Sequence, residues 1–309
     1  MDSTIVPPPL KQGDCIGLAA TARFIEQGPL DYATSWFESK GFKVKHASNL
    51  RTQTYQLAGG DEVRIQAFNE LVHDPDVRAI VVVRGGYGTV RIVDGMDWEA
   101  LKERPIWLCG FSDVTVIHNY ASRQMNMASI HCAMPVTYEN NTSAALESLY
   151  SVLTSANSVQ KYPARIVRKG QVEGQIVGGN LSVIYSQLGS TSQLDTTGKV
   201  LFIEDLDEFL YHTDRMMWAI KRAGLLDGIQ GLIVGGFTAM KDNTVAHGQS
   251  YDNPWGASAE RIIMDSIKGL DIPIAFDVPI GHLADNRALV MNRNSRVDFL
   301  DDAVHVRHI

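Results

Sequence analysis

The chain has 309 residues, 45% of them hydrophobic and 20% charged, and a formal net charge of −7. That length can bury two separate cores, and the composition is that of a soluble globular protein. The acidic balance, with no long basic run against it, argues against nucleic acid or an anionic membrane surface as the main partner.

Residues 1–10 (MDSTIVPPPL) lack the basic and apolar regions of a signal peptide, and no apolar segment approaches the length of a membrane span. A cytoplasmic enzyme without a membrane partner is the expectation. Cys15, Cys109 and Cys132 are odd in number, widely spaced and free of CxxC pairing, which points to reduced thiols rather than a metal or redox pair.

Residues 14–20 (DCIGLAA) read as a buried first strand, followed by Thr21, Ala22 and Arg23 at its carboxyl end. Helical spacing follows over residues 28–40, an exposed strand over 42–46 and an amphipathic helix over 61–73. Residues 79–83 (AIVVV) form the unbroken β-branched run of a strand covered on both faces, and they feed Arg84-Gly85-Gly86-Tyr87-Gly88. Strands alternating with helices predict a parallel, doubly wound α/β sheet whose ligands gather at the carboxyl ends of its strands. The glycines of the loop can free N–H groups for an anion or oxyanion, although a plain turn explains them too. A phosphate-binding loop is the weaker reading, because neither G-x-G-x-x-G nor GK[ST] is present.

The chain is organised around residues 106–120 (IWLCGFSDVTVIHNY). An apolar strand breaks at Gly110-Phe111-Ser112-Asp113, and Val114, Ile117 and Ala121 then share one face of a helix. Such a break presents Ser112 above the sheet edge, beside the free N–H groups of the first helical turn, as a nucleophile would be. The competing reading makes Ser112 or Asp113 an ordinary helix N-cap. The G-x-S-x-G pattern is only half met, since Val114 stands where its second glycine would be.

A helix is expected over residues 140–153, and a domain boundary within the small, polar stretch 154–161. This divides the chain into domains at 1–160 and 161–309. Beyond it, residues 174–181 suggest a strand, a Gly178-Gly179 turn and a helix, and residues 199–204 (KVLFIE) a strand ending at Glu204. A helix over 213–223 carries Met216, Met217 and Trp218, a spacing that suits core or interface. Strands at 232–237 and 274–278 frame a polar loop at 242–255 and a helix at 257–267, and residues 288–306 alternate like a β-hairpin.

A serine hydroxyl needs a contacting base, normally histidine, which in turn needs a carboxylate to orient it. Glu204 and His282 stand at strand ends in the second half and supply that pair. Asp205, Asp207 and Glu208 compete with Glu204, and a solvated acidic turn would also explain them. Of the nine histidines, His131 and His212 are the main rivals to His282, each adjoining a plausible crevice segment. No HExxH or Cys/His spacing supports a metal.

Several segments together resemble the LD-carboxypeptidases, serine peptidases of family S66 that include the microcin C7 self-immunity hydrolases. They are residues 82–93 (VVRGGYGTVRIV), 110–115 (GFSDVT), 130–135 (IHCAMP), 178–184 (GGNLSVI), 201–208 (LFIEDLDE), 212–224 (HTDRMMWAIKRAG) and 277–282 (DVPIGH). The resemblance implies a Rossmann-like N-terminal domain with a parallel sheet and a smaller C-terminal α/β domain, commonly as a homodimer. It carries the nucleophile onto Ser112, the carboxylate onto Glu204, the base onto His282 and a backbone oxyanion hole onto Gly86 and Asp113. It implies hydrolysis of an L,D-peptide bond in a cytoplasmic murein tetrapeptide, releasing D-Ala in cell-wall recycling without metal or cofactor. Arg84 and Tyr87 are candidate substrate-binding residues in the loop. The alternatives are a microcin-type amide hydrolase, with Trp218 and Trp255 as candidates to stack on a base, and a non-catalytic small-ligand-binding α/β module.

Overall fold

The structure is a computed structural model that describes residues 4–155 and 159–309. The first half alternates strand and helix: β1 (Cys15–Ala19), α1 (Gln27–Ser39), β2 (Lys43–His46), α2 (Asp61–His73), β3 (Val77–Val82), α3 (Trp98–Glu103), β4 (Trp107–Gly110), α4 (Thr115–Met125), β5 (Ser129–His131) and α5 (Ser143–Thr154). The second half contains β6 (Gln160–Pro163), β7 (Arg165–Arg168), β8 (Gly170–Asn180), α6 (Leu181–Ser186), β9 (Val200–Leu206), α7 (Leu210–Arg222), β10 (Gly231–Thr238), α8 (Ala259–Ser266), β11 (Ile274–Phe276), β12 (Leu289–Met291), β13 (Asn294–Phe299) and β14 (Ala303–His308).

The first sheet has the order β12-β5-β4-β3-β1-β2, and β5, β4, β3, β1 and β2 run parallel. Its central strands are apolar on both sides because helices cover both faces, as in the buried VRAIVV run of β3. The chain leaves β1 toward β2 and returns to the other side at β3, so the order reverses between β1 and β3. A crevice opens at such a switch point, outside the carboxyl ends of the strands. The loops after β1, β3 and β4 border it.

The second sheet has the order β6-β14-β13-β8-β9-β10-β11-β7, parallel from β8 to β11 and antiparallel at the flanks. Met216, Met217 and Ile220 of α7 pack with Ile262 and Ile263 of α8 against Ile203 and Val234, as the spacing of the methionines suggested. The architecture is the expected one, a parallel α/β sheet joined to a second α/β unit.

Two expectations differ from the structure. Gly178 and Gly179 form no turn; β8 runs straight through them, with φ of 131° and 134°. A Cβ on Gly178 would lie 1.9 Å from the Phe202 carbonyl oxygen, and one on Gly179 would lie 2.5 Å from Thr115 Oγ1, so close approach explains the pair. The expected hairpin forms between β13 and β14, but Leu289–Met291 before it pairs with β5 in the first sheet. Residues 161–309 are therefore not confined to the second sheet. The boundary stretch 154–161 includes residues 156–158, which lie outside the described residues.

Candidate active site

β4 ends at Gly110, and the chain passes through extended Phe111 to Ser112, which has a φ of 62°. A non-glycine residue in the left-handed region is strained, and such strain concentrates at functional sites. A 3₁₀ turn over Ser112–Val114 then leads into α4, which carries no side-chain cap. Neither Ser112 nor Asp113 is spent on capping. The buried Asp113 carboxylate instead accepts a 2.9 Å hydrogen bond from Thr89 N–H, tying the serine turn to the loop after β3. Burial pushes the Asp113 carboxyl above its ordinary value, against the hydrogen bonds from Thr89.

That loop lies directly on the serine. A Cβ on Gly85 would be 3.2 Å from Ser112 Oγ, a tight contact that glycine avoids. Among the described residues, neither Gly86 N–H nor Asp113 N–H donates to a protein acceptor. Fully buried Arg64 fixes the loop from behind, with Nη1 donating to Thr21 O (2.5 Å) and Gly88 O (2.9 Å) while Nη2 pairs with Asp61. Thr21 Oγ1 and Thr89 Oγ1 are 2.9 Å apart and complete the clamp. Arg84 Nη1 donates to Phe24 O at 3.2 Å, and Tyr87 is exposed.

Glu204 is fully buried near the end of β9, in register with Asn180 of β8. The chain that carries His282 crosses over it, made possible by glycine: a Cβ on Gly235 would lie 2.4 Å from Ile280 O, and one on Gly281 2.7 Å from Glu204 Oε2. His282 Nδ1 lies 2.7 Å from Glu204 Oε2, and His282 Nε2 lies 3.2 Å from Ser112 Oγ. The Phe111 ring packs against the imidazole, with centroids 4.7 Å apart. Burial disfavours charge on His282, but the Glu204 carboxylate and its hydrogen bond, with Asp205 behind, outweigh it and raise the imidazole above its ordinary value. The three residues singled out at separate strand ends thus form one hydrogen-bonded row.

The rival histidines stand elsewhere. His131 is fully buried between the Phe111 and Phe202 rings, and desolvation holds it well below its ordinary value. His212 Nδ1 pairs with Glu208 at 2.5 Å, and His118 Nδ1 meets Ser129 Oγ at 2.8 Å. Trp218 and Trp255 line a cavity of about 820 Å³ that includes none of Ser112, Glu204 and His282. Among the described residues, no group of three or more His, Cys, Asp or Glu side chains is placed to hold a metal.

Of two supporting groups, Arg64 carried no expectation from the sequence, and Asp205 entered only as a rival to Glu204. Arg64 occupies the apolar stripe Arg64, Ala67, Phe68, Leu71 of α2, and a charge at that spacing was a usable signal. Asp205 accepts from Asn180 Nδ2 (3.0 Å), Leu206 N–H (2.9 Å) and Ser182 N–H (3.0 Å), which fixes the end of β9 beside Glu204. Burial and the adjacent Glu204 charge push its carboxyl up to about 7.

A hydroxyl, an imidazole and a carboxylate in this order can transfer an acyl group through the oxygen. Comparisons with known proteins identify the family. Residues 16–132 match the family model of the LD-carboxypeptidase N-terminal domain, and residues 173–297 that of the C-terminal domain. A Bacillus subtilis protein named as a probable murein peptide carboxypeptidase is 33% identical over 237 residues, 75% of this chain and 74% of the relative. The fold is that of a muramoyltetrapeptide carboxypeptidase from Oxalobacter formigenes, at a TM-score of 0.83 and 23% identity, covering 95% of this chain and 98% of that one. It is also that of MccF in complex with glutamyl sulfamoyl guanosine, at a TM-score of 0.87 and 18% identity, over 99% of both chains. With both domains matched across most of its length, this chain belongs to the LD-carboxypeptidase family of serine peptidases.

Proposed function

We propose that the chain is a serine LD-carboxypeptidase that removes the terminal D-Ala from murein tetrapeptide, with Ser112, His282 and Glu204 as its catalytic triad. The observation that carries this reading is the continuous row from Ser112 Oγ to His282 Nε2 (3.2 Å) and from His282 Nδ1 to Glu204 Oε2 (2.7 Å). Nδ1–H donates to the carboxylate, which leaves the Nε2 lone pair facing the hydroxyl. As Ser112 Oγ attacks the peptide carbonyl, its proton passes to Nε2. The oxyanion that forms accepts hydrogen bonds from Gly86 N–H and Asp113 N–H. His282 then returns the proton to the leaving nitrogen, D-Ala departs, and the acyl-serine is hydrolysed by water activated at the same imidazole.

The family and the relatives' names support the substrate class. Recycling of murein peptides places the enzyme in the cytoplasm, as a homodimer in keeping with the resemblance, and Arg84 and Tyr87 border the substrate from the loop after β3. Mass spectrometry of products from murein tetrapeptide, run beside an aminoacyl-nucleotide amide, tests the reading. Loss of one D-Ala from the tetrapeptide is expected. Cleavage of the nucleotide amide alone would replace it with the microcin-type activity, and cleavage of neither would favour a binding module.

A further inference from the structure

We propose that Arg23 is the anchor for the terminal carboxylate of the peptide, and so the residue that makes the enzyme a carboxypeptidase. The inference rests on the reading of Ser112 as nucleophile. In a peptide cut at its last bond, the carboxylate lies immediately beyond the scissile nitrogen, on the leaving residue. A cation is therefore needed a short way past the oxyanion site, on the leaving-group side.

Arg23 occupies such a place. It follows β1 at the switch-point crevice, opposite the loop after β3. A Cβ on Gly86 would lie 2.8 Å from Arg23 Cδ and Nε, so the side chain lies flat on that glycine. The next residue back, Gly85, is the one that lies against Ser112 Oγ. Arg23, Gly86, Gly85 and Ser112 thus adjoin in sequence, from cation to nucleophile.

The guanidinium is also unspent. Arg23 Nε is buried without an acceptor, and no carboxylate lies within ion-pair distance of Arg23 among the described residues. Its neighbours differ: Arg64 and Arg91 both pair with Asp61, and Arg84 is engaged with the Phe24 carbonyl and ring. A buried N–H without an acceptor is costly, and the planar Arg fork fits a carboxylate with two parallel hydrogen bonds. Arg64 holds Thr21 O and Gly88 O together, so the two loops bearing Arg23 and Gly86 are fixed against each other before any ligand arrives. Arg84 supports the arrangement by holding the backbone at Phe24.

The test compares murein tetrapeptide with its C-terminal amide on wild type, Arg23→Gln and Arg23→Lys. Wild type is expected to prefer the free acid by at least about tenfold in kcat/KM, as for a charge-assisted pair. In Arg23→Gln the acid-to-amide ratio should collapse toward one, mainly through KM for the acid, and Arg23→Lys should restore part of it. An unchanged ratio in Arg23→Gln, or no preference in wild type, overturns the proposal. Calorimetry of both peptides on Ser112→Ala, with and without Arg23→Gln, separates the two readings. If wild type cleaves neither peptide, the hydrolase reading fails; acid-selective binding that Arg23→Gln abolishes still supports the anchor, and absent or unselective binding overturns it.

Discussion

Thr115 Oγ1 accepts a 3.0 Å hydrogen bond from Asn180 N–H, joining the start of the helix behind Ser112 to the last residue of β8. Asn180 is in register with Glu204 and donates through Nδ2 to Asp205. The serine turn and the carboxylate strand are therefore fastened to one another away from His282. This joint holds the two sheets together beside the row of three side chains, whose Ser112–His282 contact is 3.2 Å.

Replacing the nucleophile should abolish turnover and little else. Ser112→Ala is expected to lower kcat by at least about 10⁴-fold, since members of a triad act as a unit. Thermal unfolding should stay within a few degrees of wild type. Steady-state release of D-Ala measures the first and calorimetry the second. Activity within tenfold of wild type would remove Ser112 from the mechanism.

The pH profile reports on Glu204. His282 must be neutral to accept the serine proton, and its raised value puts the acid limb of kcat/KM above about 6.5. Glu204→Gln removes the charge that supports the imidazolium while burial remains, so the limb should move to lower pH. The plateau should fall by about 10³ to 10⁴-fold. A limb that stays in place, or moves up, contradicts the pairing.

Asp205 should leave its mark on stability instead. Its folded value of about 7 exceeds the ordinary carboxyl value of 3.8, so the unfolded chain loses this proton first as pH rises. The contribution to stability is complete below the unfolded value and is lost as pH climbs through about 7. Asp205→Asn has no such proton to lose. Between about pH 5 and about pH 8 the Tm of wild type should fall relative to the variant by a few degrees. Parallel Tm curves would show that the carboxyl carries no such burden.

A single methyl group tests the crossing over Glu204. Gly281 has a φ of 105°, and its Cβ would lie 2.7 Å from Glu204 Oε2 and 2.8 Å from its Cβ and Cγ. Gly281→Ala should lower kcat by at least about 100-fold, by displacing the imidazole from its partners, and should destabilise the fold by about 1 to 3 kcal/mol. Kinetics and denaturant unfolding give the two values; near wild-type turnover would mean that the loop absorbs the methyl without moving His282.

Much of this arrangement was legible in the chain because it is written in short range. Residues 61–73 show a helical stripe, and residues 79–83 an uninterrupted buried strand, where helix and strand follow. Ser112 stood out because an apolar run meets a helical period at that point. The pairing of His282 with Glu204 spans 78 residues, so no local pattern states it. Gly178-Gly179 misled because a glycine pair ordinarily marks a turn, and its actual cause, the Phe202 carbonyl and Thr115 hydroxyl, lies far away in sequence. β6 (QKYP) and β7 (RIVR) escaped notice because four-residue, largely polar edge strands carry too little alternation.

The three residues of β12 set a limit on how this protein can be divided. Within a few positions of His282 the chain is stitched into the sheet that carries Ser112, Leu289 opposite His131 and Met291 opposite Ser129. A fragment ending near residue 160 would keep the serine but leave β5 with an open, adhesive margin, inviting other chains to add to it. The C-terminal piece would carry an orphaned strand in turn. The histidine thus travels with both halves, and the two are inseparable as products of cloning or of gene fission.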